Sequence, residues 1–403
     1  MSFPARLEIP EDVLEIARRL DAAGHEVWCV GGAIRDALAG ARGTAVEPSD
    51  VDFATSATPE EVQRLFRRTV PVGVKHGTVG VLDRRRALHE VTTFRRDVTT
   101  DGRHAVVAYG VSLDEDLARR DFTINAIAYH PLRHEWRDPF GGADDLAHGV
   151  VRAVGDPAAR FREDYLRILR ALRFAARFEF RIDPATWEGA RAAAPGLAQL
   201  SAERVRDEWF KGLESARSVA RLVELWQDVG AAAVWLPELG ATGRYSEPEA
   251  DRPPRDPLLL TVLFCAQPGT VLRRLRASNA EVARAEAMAR GPEAPADATP
   301  EAARRWLARV QGAADDLLAL WRLRHGAEPP WASVVAGVRA RGEPTVRGDL
   351  ALDGNDLVAL GLPRGPRIGE ILDRLLDRVL ADPSLNTPER LAELVRTWLR
   401  ELG

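Results

Sequence analysis

The sequence predicts an α+β fold, in which a small mixed sheet with helices is followed by an all-α remainder. Strand patterns and helical patterns alternate over the first third of the chain. From about Phe140 onward, convincing strand signals disappear and helical periodicity continues toward the C-terminus. A chain of 403 residues also exceeds what one small core accommodates, so two to four domains or subdomains are expected.

The first third alternates apolar runs with amphipathic segments. A helix over residues 11–23 precedes the run "EVWCV", which is predicted to be a buried strand that turns at two glycines. A short helix "AIRDALAG" follows, then a strand "VDFAT" and a helix "PEEVQRLFRR" with Thr58 as its N-cap. The segment "TVGVLDRRRALHEVTTF" is predicted to be a hairpin around a charged turn, which adds two strands to the sheet.

The rest of the chain carries helical periodicity in seven segments. They are "REDYLRILRALRFAARF", "ERVRDEWFKGLE", "VARLVELWQDV", "LRRLRASNAEVARAEAMA", "EAARRWLARVQGAADDLLALWRL", "IGEILDRLLDRVLA" and "ERLAELVRTWLREL". Residues 241–257 and 291–300 are rich in proline and charge and are predicted to be linkers.

The composition is typical of a soluble globular protein, with 45% hydrophobic and 29% charged residues. No stretch approaches the roughly 20 apolar residues that cross a bilayer, and the N-terminal residues lack the pattern of a secretory signal. Cys29 and Cys265 are the only cysteines, which excludes a disulfide framework and favours a reducing cytoplasm.

The charge pattern is compatible with RNA binding without predicting it. A net charge of −4 argues weakly against a nucleic-acid partner, because the molecule is not a polycation. Positive charge is concentrated locally and is almost all arginine, with Lys75 and Lys211 as the only lysines. The planar guanidinium binds phosphates and base edges with parallel donors. An arginine-rich genome explains the same bias equally well.

Asp50 and Asp52 alternate in the run "SDVDF" and are therefore predicted to share one face of a strand. Two adjacent carboxylates repel each other unless a cation lies between them. Mg²⁺ prefers such hard oxygen ligands together with substrate phosphates. A solvated strand end would show the same pattern, so the pair alone does not establish a metal site.

The double glycine Gly31-Gly32 strengthens the metal-site hypothesis. Glycine lets backbone N–H groups approach a phosphate, and the following helix N-terminus adds partial positive charge. Arg35 can supply a charged donor, and Asp36 can anchor the loop by pairing with it. A structural turn is the alternative for a lone glycine pair. A glycine turn followed about twenty residues later by two alternating aspartates is nevertheless typical of a nucleotidyltransferase palm.

Glu90 in "LHEVTTF" is the candidate for a third carboxylate. A third acid is expected where two metal ions are clamped for in-line attack on a phosphate. The strand that carries Glu90 could neighbour the strand of Asp50 and Asp52. A structural ion pair with a nearby arginine, such as Arg95 or Arg96, is the alternative.

The segment "LARRDFTINAIAY" concentrates partners for phosphates and hydroxyl groups. Arg119 and Arg120 suit a triphosphate, whereas Asp121 and Asn125 suit ribose hydroxyls and would favour ribonucleotides. A helix start that is capped by Asp121 is the structural alternative.

The segment "REDYLRILRALRF" is predicted to be one helix, on which Asp164 and Arg167 share a face that Arg170 and Arg173 continue. An aspartate accepts from an exocyclic amine and an arginine donates to a ring nitrogen, so the first pair could read a base edge. Cytosine and adenine offer that polarity, whereas uracil and guanine would leave buried groups unpaired. An ordinary salt bridge is the alternative.

Taken together, these residues resemble the class II tRNA nucleotidyltransferases, which build the 3′ CCA end of tRNA, and more broadly the bacterial poly(A) polymerase superfamily. The resemblance covers nearly the whole chain. It is carried by "VGGAIRDALAG", "DVDFAT", "GVKHGTVGV", "EVTTFRRDVTTDGRH", "SLDEDLARRDFTINAIAY" and "FREDYLRILRALRF". Weaker matches are "AERVRDEW" and "DLALDGNDLVALGLPRGPRIGEIL".

The resemblance implies four parts, of which the first is a nucleotidyltransferase palm that forms the head. They are the head over residues 1–138, a helical neck with the base-selecting helix over 139–215, a helical body over 216–300 and a tRNA-binding helical tail over 301–403.

The resemblance also implies addition of C, C and A to tRNA from CTP and ATP, with release of pyrophosphate. Asp50 and Asp52 would be ligands of two Mg²⁺ ions, and Asp164 and Arg167 would select the base. The acceptor stem and top half of tRNA would be held by shape and backbone, without a DNA or membrane partner. "LRRLRASN" is a candidate phosphate-contacting surface, with a solvated helix face as the alternative.

Three other functions remain open at this point. An A-adding enzyme that works with a separate CC-adding partner would share every motif. Residues 97–109 resemble the family's flexible loop, which CC-adding enzymes shorten, so an enzyme that adds only CC is not expected. A poly(A) polymerase would carry an arginine-rich element after the two aspartates, where this chain has "GVKHGTVGV". A catalytically silent RNA-binding protein would not need intact carboxylates. The helical part lacks the His-Asp motif of an appended phosphohydrolase, so a cyclic phosphatase activity is not expected.

Overall fold

The computed structural model describes residues 3–40, 51–73, 77–100, 105–240 and 245–401. Asp50 and Lys75 lie outside these residues. The chain divides into two compact units, Met1–Leu239 and Gly240–Gly403. The predicted α+β fold class is confirmed, because a mixed sheet with helices precedes a largely helical remainder.

The described part of the first unit contains eleven strands. They are β1 Val27–Val30, β2 Asp52–Thr55, β3 Thr69–Gly73, β4 Thr78–Leu82, β5 Leu88–Thr93, β6 Arg95–Thr100, β7 Ala105–Tyr109, β8 Ala128–His130, β9 Glu135–Arg137, β10 Val150–Val151 and β11 Arg181–Ile182. Seven of them form one sheet in the order β9-β8-β1-β2-β5-β4-β3.

Only β2 and β5 pair in parallel within this sheet, and its other neighbours are antiparallel. The predicted hairpin is confirmed as β4 and β5, and the segment that resembles the family's flexible loop contains most of a second hairpin, β6 and β7. The short parallel pair β10 and β11 lies beyond Phe140, where the sequence predicted no strand.

The helices of the first unit surround the sheet and then continue without it. They are α1 Glu11–Ala22, α2 Gly32–Leu38, α3 Pro59–Leu65, α4 Leu113–Ala118, α5 Gly142–Ala147, α6 Pro157–Glu163, α7 Leu166–Phe178, α8 Pro184–Ala193, α9 Ala202–Ser215, α10 Val219–Asp228 and α11 Ala231–Trp235. Thr58 caps α3 as predicted, because its side chain accepts from the backbone of Glu61 at 3.3 Å while the Glu61 side chain accepts from the Thr58 backbone at 2.8 Å.

One apolar cluster joins the sheet to the segment that follows it. Trp28 and Val30 of β1 and Ala54 of β2 pack with Phe94 and Leu117, all of them buried. Adjacent residues of a strand point to opposite faces of the sheet. The β2 residues on either side of Ala54 therefore project from the face opposite this cluster.

The second unit is helical over the residues that the structure describes. Its helices are α12 Glu247–Ala250, α13 Pro257–Phe264, α14 Pro268–Arg274, α15 Asn279–Arg290, α16 Pro300–Val310, α17 Ala314–His325, α18 Ala332–Ala340, α19 Gly354–Ala359, α20 Pro366–Ala381 and α21 Pro388–Glu401. A buried cluster that includes Leu357, Leu375, Leu391 and Val395 holds α19, α20 and α21 together.

Two long helices predicted in this unit are each interrupted. The segment 272–289 breaks into α14 and α15, because Ser278 is extended and its side chain accepts from the Glu281 backbone as an N-cap. The segment 301–323 breaks at a 3-10 turn over Gln311–Ala313 between α16 and α17. None of the helices in the described ranges is long and apolar enough to cross a membrane.

Candidate active site

Two neighbouring strands bring Asp52 and Glu90 together. In the parallel pair of β2 and β5, Phe53 lies beside Val91, so Asp52 and Glu90 occupy the preceding row and project from the same face. The neighbouring strand that the sequence predicted for Glu90 is therefore confirmed. Within the described ranges no group of three metal-ligating side chains is found, but the predicted partner Asp50 is not among those residues.

The glycine turn comes close to this pair of acids. Gly31 has a φ of 80°, a conformation that an L side chain rarely adopts. A Cβ atom at Gly31 would lie 3.3 Å from Oδ2 of Asp52 and 3.9 Å from Nη1 of Arg120. The backbone of the turn therefore lies directly beside the carboxylate, and α2 begins at the next residue, Gly32.

A cleft of about 540 Å³ opens over these residues. Its lining includes eleven of the predicted site residues, namely Gly31, Gly32, Arg35, Asp52, Glu90, Arg119, Arg120, Asp121, Asn125, Arg170 and Arg173. Seven arginines but only three carboxylates line it, and Asp36, Asp116 and Glu208 pair with five of these arginines. Such a concentration of guanidinium groups suits a polyphosphate.

A buried ion pair fixes the floor of the cleft. Nε of Arg170 donates to Oδ2 of Asp121 at 2.7 Å, and Oδ1 of Asp121 accepts from the Phe122 backbone and from Asn125 Nδ2 at 2.9 Å each. Burial acts to raise the pKa of Asp121, but the charge of Arg170 and these hydrogen bonds outweigh it and lower the pKa to about 2. The carboxylate is therefore ionised at neutral pH.

Arg35 connects its own helix α2 to the segment of Asn125 and to α7. Its Nε donates to Oδ1 of Asp36 at 2.8 Å, and its Nη1 donates to Oδ1 of Asn125 at 2.7 Å. The guanidinium also lies 5.0 and 4.9 Å from the ring centroids of Phe174 and Phe178 on α7. The pairing of Arg35 with Asp36 that the sequence suggested is confirmed, and most of its donors are used within the protein.

Arg119 and Arg120 share one carboxylate. Nη2 of Arg119 lies 2.8 Å from Oδ1 of Asp116, and Nη2 of Arg120 lies 3.5 Å from its Oδ2. Burial lowers the pKa of Arg120, although a guanidinium stays protonated at neutral pH. Because two cations face one buried anion, part of the positive charge of the cleft is left for a ligand.

The structure corrects the prediction for Asp164 and Arg167. Asp164 is not on a helix shared with Arg167, because it is extended, with a φ of −155°, in the break between α6 and α7. Its carboxylate accepts from Arg204 Nη2 at 2.7 Å, whereas Arg167 Nη1 donates to Glu163 Oε2 at 2.7 Å. The two side chains therefore have different partners, and neither residue is among those that line the cleft in the described part of the chain.

The break has a tertiary cause. Tyr165 lies where α7 begins, and its ring packs so closely on Gly196 that a Cβ atom there would lie 2.1 Å from Tyr165 Cε1. The Asp164 carboxylate also accepts from the Leu166 backbone at 3.1 Å and thereby caps the start of α7. These contacts stabilise two short helices where the local pattern predicted one.

Arg167 nevertheless makes a hydrogen bond to the segment that carries three of the cleft residues. Its Nη2 donates to the carbonyl oxygen of Arg119 at 3.0 Å, and Nη2 of Arg160 donates to the carbonyl oxygen of Ala118 at 2.8 Å. Both guanidinium groups pair with Glu163, at 2.7 and 2.8 Å. This cluster supports the segment that carries Arg119, Arg120 and Asp121.

Further residues of the cleft were not among the predicted site residues. Thr78, Thr92, Arg95, Phe174 and Arg177 also line it. Arg177 follows Arg170 by two helical turns, so the spacing along α7 contained a signal for it. Glu208 supports the cleft residue Arg173, because its Oε2 accepts from Arg173 Nε at 2.7 Å. Glu208 lies 35 residues after Arg173 in the chain, so no local spacing predicted this pair.

Comparisons with known proteins show the family to which this chain is similar. A family described as "Poly A polymerase head domain" matches residues 27–152, and one described as "Probable RNA and SrmB- binding site of polymerase A" matches residues 179–242. A CCA-adding enzyme from Geobacillus stearothermophilus is 35% identical over 410 residues, which cover 97% of this chain and 96% of that protein.

Other relatives match over shorter regions. A CCA-adding enzyme from Leuconostoc mesenteroides is 46% identical over 211 residues, or 51% of this chain and 50% of that protein. One from Streptococcus gordonii is 42% identical over 241 residues, or 57% of this chain and 58% of that protein. The chain thus spans about half the length of these two relatives.

Solved structures show the same fold. A crystal structure of the Bacillus stearothermophilus CCA-adding enzyme in complex with CTP matches with a TM-score of 0.80 and 32% identity, covering 97% of this chain and 98% of that one. A Thermotoga maritima CCA-adding enzyme complexed with tRNA matches with a TM-score of 0.64 and 20% identity, covering 97% and 96% of the two chains.

Proposed function

This chain belongs to the CCA-adding enzyme family, and we propose that it adds C, C and A stepwise to the 3′ end of tRNA. CTP and ATP are the proposed substrates, and pyrophosphate is released at each step. The observation that carries the proposal is the arginine-rich cleft in which β2 and β5 hold Asp52 and Glu90 side by side. The fold that this chain shares with the CTP complex of a similar enzyme supports it.

Asp52 and Glu90, together with Asp50, would hold two Mg²⁺ ions. The donor set fits, because carboxylate oxygens on adjacent strands are the hard ligands that Mg²⁺ prefers. When bound, the ions would lower the charge on the attacking hydroxyl and on the departing pyrophosphate.

The remaining residues of the site bind and orient the nucleotide. Gly31 and Gly32 would let the backbone approach the triphosphate, and Arg119 and Arg120 would neutralise it. Asn125, held by Arg35, would contact the ribose hydroxyls. This division suits phosphoryl transfer, in which positioning and charge neutralisation do most of the catalytic work.

Asp164 and Arg167 are proposed to select cytosine and adenine, and Arg170 and Arg173 to bind the nucleotide beside them. The contact of Arg167 with the Arg119 carbonyl supports a place next to the nucleotide. Selection by Arg167 would require its guanidinium to exchange the Glu163 carboxylate for a base edge. Arg167→Ala is therefore expected to raise UMP and GMP misincorporation, and unchanged fidelity would contradict the assignment.

The helical parts are proposed to bind tRNA. We assign the head to residues 1–138, the neck to 139–215, the body to 216–300 and the tail to 301–403. Duplex RNA is recognised mainly by shape and backbone contacts, which suits a long helical surface. Because tRNA and both nucleotides are cytoplasmic molecules, we propose the cytoplasm as the location.

The direct test measures incorporation of each nucleoside triphosphate, and of CTP with ATP, into three tRNAs. These end at the discriminator base, at the first C and at the second C. Addition of CC and then one A to the shortest tRNA is expected. Addition of A to the longest tRNA alone would indicate an A-adding enzyme, and long A tails would indicate a poly(A) polymerase.

The same assay tests the metal assignment. Asp52→Asn is expected to abolish incorporation while tRNA still binds, because it removes a proposed metal ligand without changing the shape of the side chain. Asp207→Asn is the matched control, since Asp207 is exposed and pairs only with Arg206 in the described contacts. Full activity of Asp52→Asn would refute the assignment.

A further inference from the structure

An exposed apolar surface lies on the face of the sheet that carries the proposed catalytic acids. In the residues that the structure describes, five large hydrophobic side chains are exposed. Val70 and Val72 of β3, Leu88 of β5 and Tyr109 of β7 are four of them, with 39%, 44%, 41% and 39% exposure. Single exposed apolar residues need no explanation, but their concentration in one region of a soluble surface does.

The strand register shows how these residues relate to the cleft. Leu88, Glu90 and Thr92 alternate along β5 and so share one face, and Glu90 and Thr92 line the cleft. Gly80 of β4 lies opposite Glu90, and Val70 of β3 lies opposite Gly80. The apolar residues therefore continue outward from the row that contains Asp52 and Glu90.

Gly80 leaves room for side chains from both neighbouring strands. A Cβ atom at Gly80 would lie 2.7 Å from Leu88 Cδ1 and 2.8 Å from Val72 Cγ2. Leu88 and Val72 therefore meet over the bare backbone of Gly80, next to Glu90. We call Val70, Val72 and Leu88 the apolar strip.

An exposed aromatic side chain, Tyr109, lies beside the strip. The Tyr109 ring packs over Gly77, where a Cβ atom would lie 2.7 Å from Tyr109 Cε1. Gly77 precedes Thr78, whose hydroxyl lies 3.0 Å from that of Thr92, and both threonines line the cleft. The exposed apolar side chains thus border the cleft along β4 and β5.

We propose that the apolar strip receives the base of the 3′-terminal nucleotide of the acceptor RNA. This inference rests on the proposed function and identifies where its second substrate binds. The incoming triphosphate suits the arginine-rich part of the cleft, so the acceptor must approach the acids from another side. The strip is contiguous with Glu90 on that face and carries no charge that would repel or read a base.

The chemistry of the strip suits an acceptor whose last base changes. The terminal base is the discriminator in the first step and cytosine in the next two, so a surface that read its edge would fail in some steps. Aliphatic side chains have no hydrogen-bonding groups, and contact with the face of a base is tolerant of sequence. The strip therefore binds every intermediate and leaves base choice to the nucleotide side of the cleft.

The test combines a variant of the strip with a modified acceptor. On tRNA that ends in CC, with ATP as the only nucleotide, Leu88→Ser is expected to raise the KM for tRNA about fivefold. The KM for ATP is expected to stay unchanged. On the same tRNA with an abasic 3′-terminal residue, wild type and Leu88→Ser are expected to show equal kcat/KM, because the contact is already absent.

Val72→Ser provides a second variant with the same expected pattern. Ala23→Ser is the matched control, because Ala23 is an exposed apolar residue of the head, directly after α1, and belongs to neither the strip nor the lining of the cleft. Its kinetics are expected to equal those of the wild type on both acceptors. Circular dichroism of each variant checks that the fold is retained.

Three results would overturn the inference. The KM for tRNA could be unchanged in both strip variants, or the variants could lose activity equally on the normal and the abasic acceptor. Loss of a dimer in sedimentation, in step with the loss of activity, would assign the strip to a second copy of the chain. A wild-type protein that adds nothing to any tRNA would instead refute the proposed function itself.

Discussion

At the residue scale, Gly31 combines two requirements that only glycine meets together. Its φ is positive, and its α-carbon faces Asp52 so closely that any side chain would push on the carboxylate. Gly24 has a similar φ of 83°, but no atom would lie within 4 Å of a Cβ placed there. A comparison of variants at these two glycines therefore separates the effect of backbone strain from the effect of contact with the site.

Gly31→Ala is expected to lower kcat at least tenfold, because a small displacement of a catalytic carboxylate has a large effect on rate. Gly24→Ala carries the same strain, about 1 kcal/mol, and is expected to keep full activity. Steady-state kinetics and urea unfolding of both variants measure the two effects. Equal kcat in the two variants would show that the contact with Asp52 is unimportant.

The ionisation of Asp121 makes the stability of the folded state depend on pH in the acid range. Its pKa is lowered from 3.8 to about 2, so the folded state gains stability from the ionised carboxylate above the unfolded pKa. This contribution is lost as the pH falls through the interval between those two values. Its size is on the order of 2 kcal/mol.

Asp121→Asn is therefore expected to be less stable than the wild type near neutral pH and to approach it in acid. Urea unfolding of both proteins, at steps from about pH 6 to about pH 2.5, measures the difference in free energy of unfolding. Asp207→Asn, which removes an exposed carboxylate, serves as the control. A difference that stays constant with pH would contradict the ion pair with Arg170.

At the element scale, α7 and α9 are joined by buried charge. Arg173 Nε donates to Glu208 Oε2 at 2.7 Å, and both side chains are buried. Arg170 on the same helix faces Glu208 at 3.8 Å and Asp121 at 2.7 Å. This network holds the arginine-bearing face of α7 against the cleft.

Glu208→Ala is expected to lower the free energy of unfolding by about 3 kcal/mol, because it leaves a buried guanidinium without its anion. The neighbouring Asp207→Ala removes only an exposed pair and is expected to cost less than about 1 kcal/mol. Urea denaturation measures both. If the two variants were equally stable, the buried pair would have no structural importance.

At the scale of the whole molecule, every residue that lines the cleft belongs to the first compact unit. The nucleotide side of the reaction is therefore expected to need only Met1–Leu239. The tail proposed to bind tRNA lies entirely in the second unit, Gly240–Gly403. The two substrates thus depend on the second unit to different degrees.

A chain cut after Leu239 is expected to unfold cooperatively and to bind CTP with an affinity within about threefold of the full chain. Its affinity for tRNA is expected to fall by more than tenfold, because the proposed tail is missing. Calorimetry with CTP and filter binding with tRNA measure these affinities. Loss of CTP binding in a folded fragment would mean that the second unit contributes to the nucleotide site.

Much of the fold and of the site was predictable because its signals are local. The alternation of Asp50 and Asp52 in an apolar run predicted β2, and the glycines at 31 and 32 predicted the turn beside it. The hairpin β4–β5 followed from one charged turn between two apolar runs, and it brought Glu90 into the predicted neighbourhood. These elements supply Gly31, Gly32, Asp52 and Glu90, four of the eleven predicted site residues that line one cleft.

Other features depend on contacts that only the folded chain creates. The helix predicted through Asp164 breaks because Tyr165 packs on Gly196, which lies 31 positions further along the chain. Val72 on the edge strand β3 and Leu88 on the interior strand β5 are both exposed in the folded chain, which no local pattern states. The sequence by itself determined most of the elements, the acids and the family resemblance. Only the tertiary structure decided which charges are paired and which apolar surface is left open, because both depend on the packing of distant segments.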